Sequence, residues 1–208
     1  MDHVPPKSFF PKPRPSNLIT VPSCKKCNNG FSEDDNEMRA WLSTVIARSP
    51  NGSWIFDQKV FPKLLSKDKK LFQKIAKSRA IKFVDMGNGP MPVRVIEWNK
   101  EPVQRWMIRC TKAMMATFYP DYDYSQDLFH VGVPYLTPKN VQIVQGLMSM
   151  CNRDSRGTGI FDFWHRRTSD QLGWLWIFVF FGNACCVVTH AKQFPKDHPY
   201  FDPPPPIL

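Results

Sequence analysis

The residues of this chain whose types and spacing could do chemistry cluster at its front. Asp2 and His3 set a carboxylate beside an imidazole, Asn17 adds an amide, and Cys24-Lys25-Lys26-Cys27-Asn28-Asn29 brings together two thiols, two ammonium groups and two amides. An imidazole with an ordinary pKa near ~6.5 can accept a proton from water at cellular pH. Cys24-x-x-Cys27 has the spacing of half a tetrahedral zinc site. Taken singly, each residue has a plainer reading. His3 near a terminus reads as a frayed surface side chain, and Asn17 after Pro15-Ser16 as a turn former. Only the joint arrangement carries weight.

That arrangement resembles the HNH, or His-Me finger, nucleases. In that family an Asp-His or Glu-His pair ends a first strand, an Asn opens a second, and a Cys-x-x-Cys-Asn or Cys-x-x-Cys-His step leads into a helix. Here the pair is Asp2-His3, the middle residue is Asn17, and the step runs from Cys24 to Asn28 just ahead of Ser32. The match covers about the first 45 residues. The resemblance implies a phosphodiester hydrolase in which His3 takes the proton of the attacking water and Asn17 fixes the ring's tautomer and aim. It also implies a hard cation, Mg²⁺ or Mn²⁺, held by Asp2 and Asn28, with Asn29 as the alternative register.

Zinc-bearing members of the family supply a second Cys-x-x-Cys upstream of the Asp-His pair, where this chain has only Met1. Three explanations stay open. The natural start lies further upstream, another ligand such as Cys110, Cys151 or a histidine completes a Zn²⁺ site with Cys24 and Cys27, or the finger is a remnant with two ordinary thiols. Cys185 and Cys186 adjoin in an expected strand, so they face opposite sides and cannot share a metal. His130, His165, His190 and His198 lack ligand spacing and read as structural. Trp164-His165-Arg166-Arg167 has the residue types to stack on and clamp nucleic acid, but the preferred reading is an aromatic strand end with a solvated basic turn.

The elements that must position these residues follow from pattern. Six prolines between Pro5 and Pro22 fix an irregular or extended path over residues 1–30. Ser32, with Asp35 three residues on, reads as the cap of a helix that carries Met38, Trp41, Leu42, Val45 and Ile46 on one stripe and stops at Ser49-Pro50-Asn51-Gly52. A second helix is expected over 62–79, apolar at Leu64, Leu65, Phe72 and Ile75 and basic at Lys63, Lys67, Lys69, Lys70, Lys74, Lys77 and Arg79. A hairpin is expected from strands 81–85 and 92–98. A core-facing helix is expected over 102–118, and another from a Thr137 cap through Cys151. Closing strands are expected at 159–165, 173–181 and 184–190, the last two joined at Gly182-Asn183. Pro203 to Pro206 make an extended tail.

The chain has 208 residues, 42% hydrophobic and 22% charged, which is enough apolar mass for a core. Twenty-eight Lys and Arg against 18 Asp and Glu leave a net charge of +10, which favours a polyanionic partner. Six cysteines are too few for a disulfide scaffold, no signal-peptide-like segment follows the start, and no apolar run spans a membrane. A cytoplasmic protein is therefore expected. The organisation expected is α+β: an HNH-like motif with its following helix over 1–50, a basic helical connector over 51–80, a mixed helix and antiparallel-sheet domain over 81–200, and a proline-rich tail over 201–208. The expected function is that of a bacterial or phage-type endonuclease on DNA, with Lys25, Lys26, Lys67, Lys70, Lys74 and Lys77 holding the backbone. The alternatives are a non-catalytic nucleic-acid-binding or regulatory protein that keeps a degenerate finger, and a structural protein that binds no DNA.

Overall fold

Residues Gly173–Phe180 are apolar at nearly every position, so this strand needs cover on both faces and sets the architecture. The computed structural model describes residues 2–23, 31–44, 49–85, 88–97, 100–134, 137–169 and 172–193. In chain order, β1 (Asp2–Val4) pairs antiparallel with β2 (Ile19–Val21). Then come α1 (Ser32–Ser43), α2 (Pro50–Ile55), a π-helical segment Phe56–Leu65, and α3 (Lys69–Lys77). β3 (Arg79–Asp85) and β4 (Pro90–Ile96) form an antiparallel ribbon, followed by α4 (Lys100–Phe118) and β5 (Leu128–Gly132). The chain continues through α5 (Pro138–Ser149), β6 (Asn152–Arg156), β7 (Phe161–Arg167), β8 (Gly173–Phe180) and β9 (Ala184–Ala191). The fold is mixed α+β with antiparallel sheets, and the five-stranded sheet has the order β5-β9-β8-β7-β6. Among the described residues no helix is long and apolar enough to cross a membrane.

The two faces of that sheet separate by the period of two. Phe161, Phe163, Trp176, Phe178, Cys186 and Val188 join the large core with α4, α1 and the N-terminal segment. Leu175, Ile177 and Cys185 face the other way, under Val144, Leu147 and Met148 of α5. Cys185 and Cys186 thus lie on opposite faces, as their adjacency requires. The large core runs from Val4 through Trp41 and Trp106 to Phe178, so the front of the chain and the C-terminal sheet share one interior.

The N-terminal segment is fixed by Phe9. Its ring is fully buried and stacks on Trp106 at 5.6 Å and on Phe181 at 5.8 Å. Phe181 sits at φ 52° and Gly182 at φ 79°, and Asn183 donates its N–H to the Phe180 carbonyl at 3.2 Å. These are the marks of a type I′ turn centred on Phe181-Gly182, one residue earlier than the expected Gly182-Asn183. The Phe181 carbonyl also accepts from the Ser49 N–H at 2.7 Å.

Several expected boundaries move. The first helix does begin at Ser32, but Phe31 is its cap residue and no side chain caps it. Asp35 is turned toward other partners. Ser49-Pro50 does not stop that helix; Ser49 caps α2, accepting from the Gly52 N–H at 3.1 Å, with Pro50 in the first turn. Val45 and Ile46 lie outside the described residues. The helix expected over 62–79 is broken at Ser66 to Asp68, where Asp68 accepts from the Leu71 N–H at 2.9 Å and opens α3. Leu71 and Ile75 are the buried pair of α3, while Phe72 is 45% exposed. The 3₁₀ turn Lys7–Phe9 interrupts the extended front, and β5 and β6 are strands that no pattern announced.

Phe9→Ala removes the ring shared by three elements. It is expected to destabilise the fold by about 3–5 kcal/mol, read as a lower urea midpoint at unchanged m-value. A loss under about 1 kcal/mol would mean that the stack is not what holds the segment.

Candidate active site

β1 and β2 are short, and their register decides which front residues meet. His3 lies opposite Thr20 and Val4 opposite Ile19. Asp2 and His3 are therefore neighbours on β1, and the Asp2 Oδ1 accepts the His3 backbone N–H at 2.8 Å. Among the described residues, no hydrogen bond to the His3 ring or to the Asn17 side chain is present. Asn17 is exposed in the turn before β2, outside the paired strand that faces His3. Cys24, Lys25, Lys26, Cys27, Asn28 and Asn29 lie outside the described residues.

Asp2 and His3 open onto a shallow cleft of about 210 Å³ between the β1–β2 pair and α4. Val21 and Ser23 line its β2 side, and Arg109, Cys110 and Lys112 line its α4 side. Arg109 is held from two directions. One amino group bonds to Asp35, and the guanidinium lies over the Phe31 ring, 4.2 Å from its centroid. Its buried Nη1 has no hydrogen-bond partner among the described residues. Lys112 is exposed, with its ammonium 5.2 Å from the Phe129 ring centroid. The cleft thus sets a carboxylate and an imidazole facing fixed positive charge.

Local electrostatics keep His3 neutral near neutral pH. Burial comes first, then the positive charge of Lys7, and both push its pKa below the ordinary imidazole value against the opposing pull of Asp2. Asp34 is held below the usual carboxylate range by its two hydrogen bonds from Arg105, at 2.9 and 2.8 Å. Asp35 goes the other way, because burial outweighs Arg109 and the Trp106 N–H that donates to it at 2.8 Å. Burial also pushes the Cys110 thiol well up.

Of the residues expected to bind backbone, Lys67, Lys70 and Lys77 are exposed and carry no ion pair among the described residues. Lys74 is engaged by Glu37 at 2.5 Å. Among the possible further zinc ligands, Cys110 lines the cleft, whereas Cys151 packs with the smaller core on the far face of the sheet. No group of three or more His, Cys, Asp and Glu that could hold a metal occurs among the described residues. Arg109 and Lys112 were not singled out by sequence reasoning. Their signal was the basic stripe Arg105, Arg109, Lys112 at helical spacing, opposite the apolar stripe of the same helix.

A second carboxylate–imidazole pair is structural. His190 and Asp127 have fully buried side chains, with the His190 Nδ1 2.5 Å from the Asp127 Oδ2. The Trp176 N–H can only donate, and it meets the His190 Nε2 at 3.3 Å, so that nitrogen must accept and the ring is neutral. His165 Nδ1 lies 2.6 Å from the Tyr119 hydroxyl, between the Phe163 and Trp176 rings.

No family model, curated protein or solved structure matches the chain.

Burial lowers the pKa of both His165 and His190 below 6.5. Below that value the unfolded chain binds more protons than the folded one, so stability is full above about pH 6.5 and declines as pH falls. The urea midpoint is expected to drop between pH 7 and pH 5, and to drop less in His165→Phe. A wild-type midpoint that stays level over this range would contradict the neutral, buried rings.

Proposed function

We propose that this protein is an endonuclease of the HNH kind, hydrolysing phosphodiester bonds in DNA with His3 as general base. The observation that supports the reading most is the cleft itself. It sets the Asp2-His3 pair opposite the Arg109 side chain, at the front of a strand–strand–helix order. A guanidinium fork and an ammonium suit the oxygens of a phosphodiester. His3, neutral and free of ring hydrogen bonds among the described residues, is left with a nitrogen to take the proton of an attacking water.

Asp2 supplies one oxygen donor suited to a hard cation. The Asp2 carboxylate lines the cleft and is engaged only by the His3 N–H among the described residues, so it keeps oxygen lone pairs for a ligand. Asp2 with Asn28 would hold Mg²⁺ or Mn²⁺, which when bound neutralises charge on the leaving and phosphoryl oxygens. The positive charge of Arg109 on the α4 side would attract the phosphate through space, and the exposed Lys112 would contact it at the rim. Asn17's orienting role and a structural zinc at Cys24 and Cys27 rest on the resemblance alone. Lys25, Lys26, Lys67, Lys70 and Lys77 would track the backbone, Lys74 being committed to Glu37.

Incubation with supercoiled plasmid and Mg²⁺ or Mn²⁺ tests this. Nicking is expected with the wild type, none in EDTA, and a loss of about 10²-fold or more in His3→Ala. Lys112→Ala is expected to raise KM a few-fold with little change in kcat. Equal nicking by His3→Ala removes the nuclease reading. Salt-dependent DNA binding without any cleavage would instead establish the non-catalytic binding module.

A further inference from the structure

The β3–β4 ribbon has no place in the chemistry just described, and its composition is unusual for a solvated hairpin. Among its described residues only Val84 is buried, while Ile81 is 65% and Phe83 61% exposed. A two-stranded ribbon is marginal in water unless something holds it. Here Ile96 packs against the large core, and the Glu97 N–H donates to the Ser78 carbonyl at 2.8 Å across the base. The exposed apolar side chains therefore project from a fastened arm.

Register puts them on one face with cations. Phe83 lies opposite Pro92, Ile81 opposite Arg94, and Arg79 opposite Ile96. One face of the arm thus reads, from tip to base, as Asp85 opposite Pro90, the apolar pair Phe83–Pro92, Ile81 beside Arg94, then Arg79 opposite Ile96, with two cations to one acid. Arg79 and Arg94 are exposed and make no ion pair among the described residues. The charge around them is lopsided. From Lys67 to Glu97 there are eight Lys and Arg against three Asp and Glu, which accounts for five of the chain's net +10. Such a surface repels a basic partner and suits a polyanion that can also receive a flat apolar side chain. Duplex DNA offers both, because its grooves admit a two-stranded ribbon and its base steps can be parted by an apolar wedge.

We infer that the β3–β4 ribbon is a DNA-binding arm. Phe83, backed by Pro92 and Ile81, presses into a groove of the duplex while Arg79 and Arg94 grip the flanking phosphates. This rests on the reading of DNA as the substrate and names the part of the chain that bends it. Phosphate contacts carry the salt dependence, and the wedge carries the deformation.

The test uses the full chain with a 30-base-pair duplex labelled at both ends, in EDTA so that nothing is cut. The wild type is expected to bind and to shorten the end-to-end distance by energy transfer. Phe83→Ala is expected to bind about tenfold more weakly, at unchanged salt slope, and to leave the duplex straight. Arg79→Ala and Arg94→Ala are each expected to flatten the slope of log affinity against log salt by about 0.9. Circular dichroism checks that each variant is folded. Wild-type affinity and bending in all three variants would overturn the inference, and so would a wild-type dimer that Phe83→Ala converts to monomer with DNA affinity intact. Neither result touches the nuclease reading, which stands or falls on His3-dependent nicking; a chain that never cleaves but bends DNA through Phe83 leaves the arm in place.

Discussion

Phe9 is the constraint on which the site depends. A three-residue strand at the front of a chain would ordinarily fray, since it closes too few hydrogen bonds to offset the entropy of ordering. The stack of Phe181, Phe9 and Trp106 removes that freedom only five residues beyond Val4. Phe181 can reach the stack because its turn accepts φ 52°, with Gly182 sharing the left-handed conformation. The same turn takes the Ser49 N–H, so one bend of the sheet anchors the front of the chain and the start of α2 together.

Acidic side chains on α1 do a different job from capping. Asp34 is taken by Arg105, Asp35 by Trp106 and Arg109, and Glu37 by Lys74 and the Trp41 N–H. α1 is thereby tied to α3 and α4 at three points within one turn. These partly screened pairs are worth little individually. The Asp35 pair has a further effect: it holds Arg109 in place at the edge of the cleft, where Lys112 adds positive charge and Lys7 acts on His3. Burial first, and then the charge of Lys7, keeps the His3 imidazole neutral there.

How much of this was legible depended on what each element packs against. α4 and α5 were readable because an apolar stripe at helical spacing faces one core, and Thr137-Pro138 caps α5 as its residue types require. β8 and β9 were readable as apolar runs flanking a turn. β6, Asn-Arg-Asp-Ser-Arg, is a polar edge strand, and its pairing with β7 leaves no apolar alternation to detect. Ser49-Pro50 looked like a stop because the same residue types end one helix and begin the next. In α3, Phe72 follows the buried Leu71, so choosing the wrong one of two adjacent apolar residues turned the stripe by one position. At the site, the Asp2-His3 pair was legible from residue types alone. The contribution of Arg109 was not, because it arises from a helix more than a hundred residues away in sequence.

The proposed hydrolysis requires Asp2 to hold a divalent cation beside the His3 ring. Paramagnetic Mn²⁺ reads this directly by NMR, since it broadens only nuclei close to it. Substoichiometric Mn²⁺ is expected to broaden the His3 ring signals selectively, leave those of the buried His165 and His190 sharp, and lose its effect in Asp2→Ala. Uniform broadening across the histidines, or sharp His3 signals throughout the titration, would contradict it.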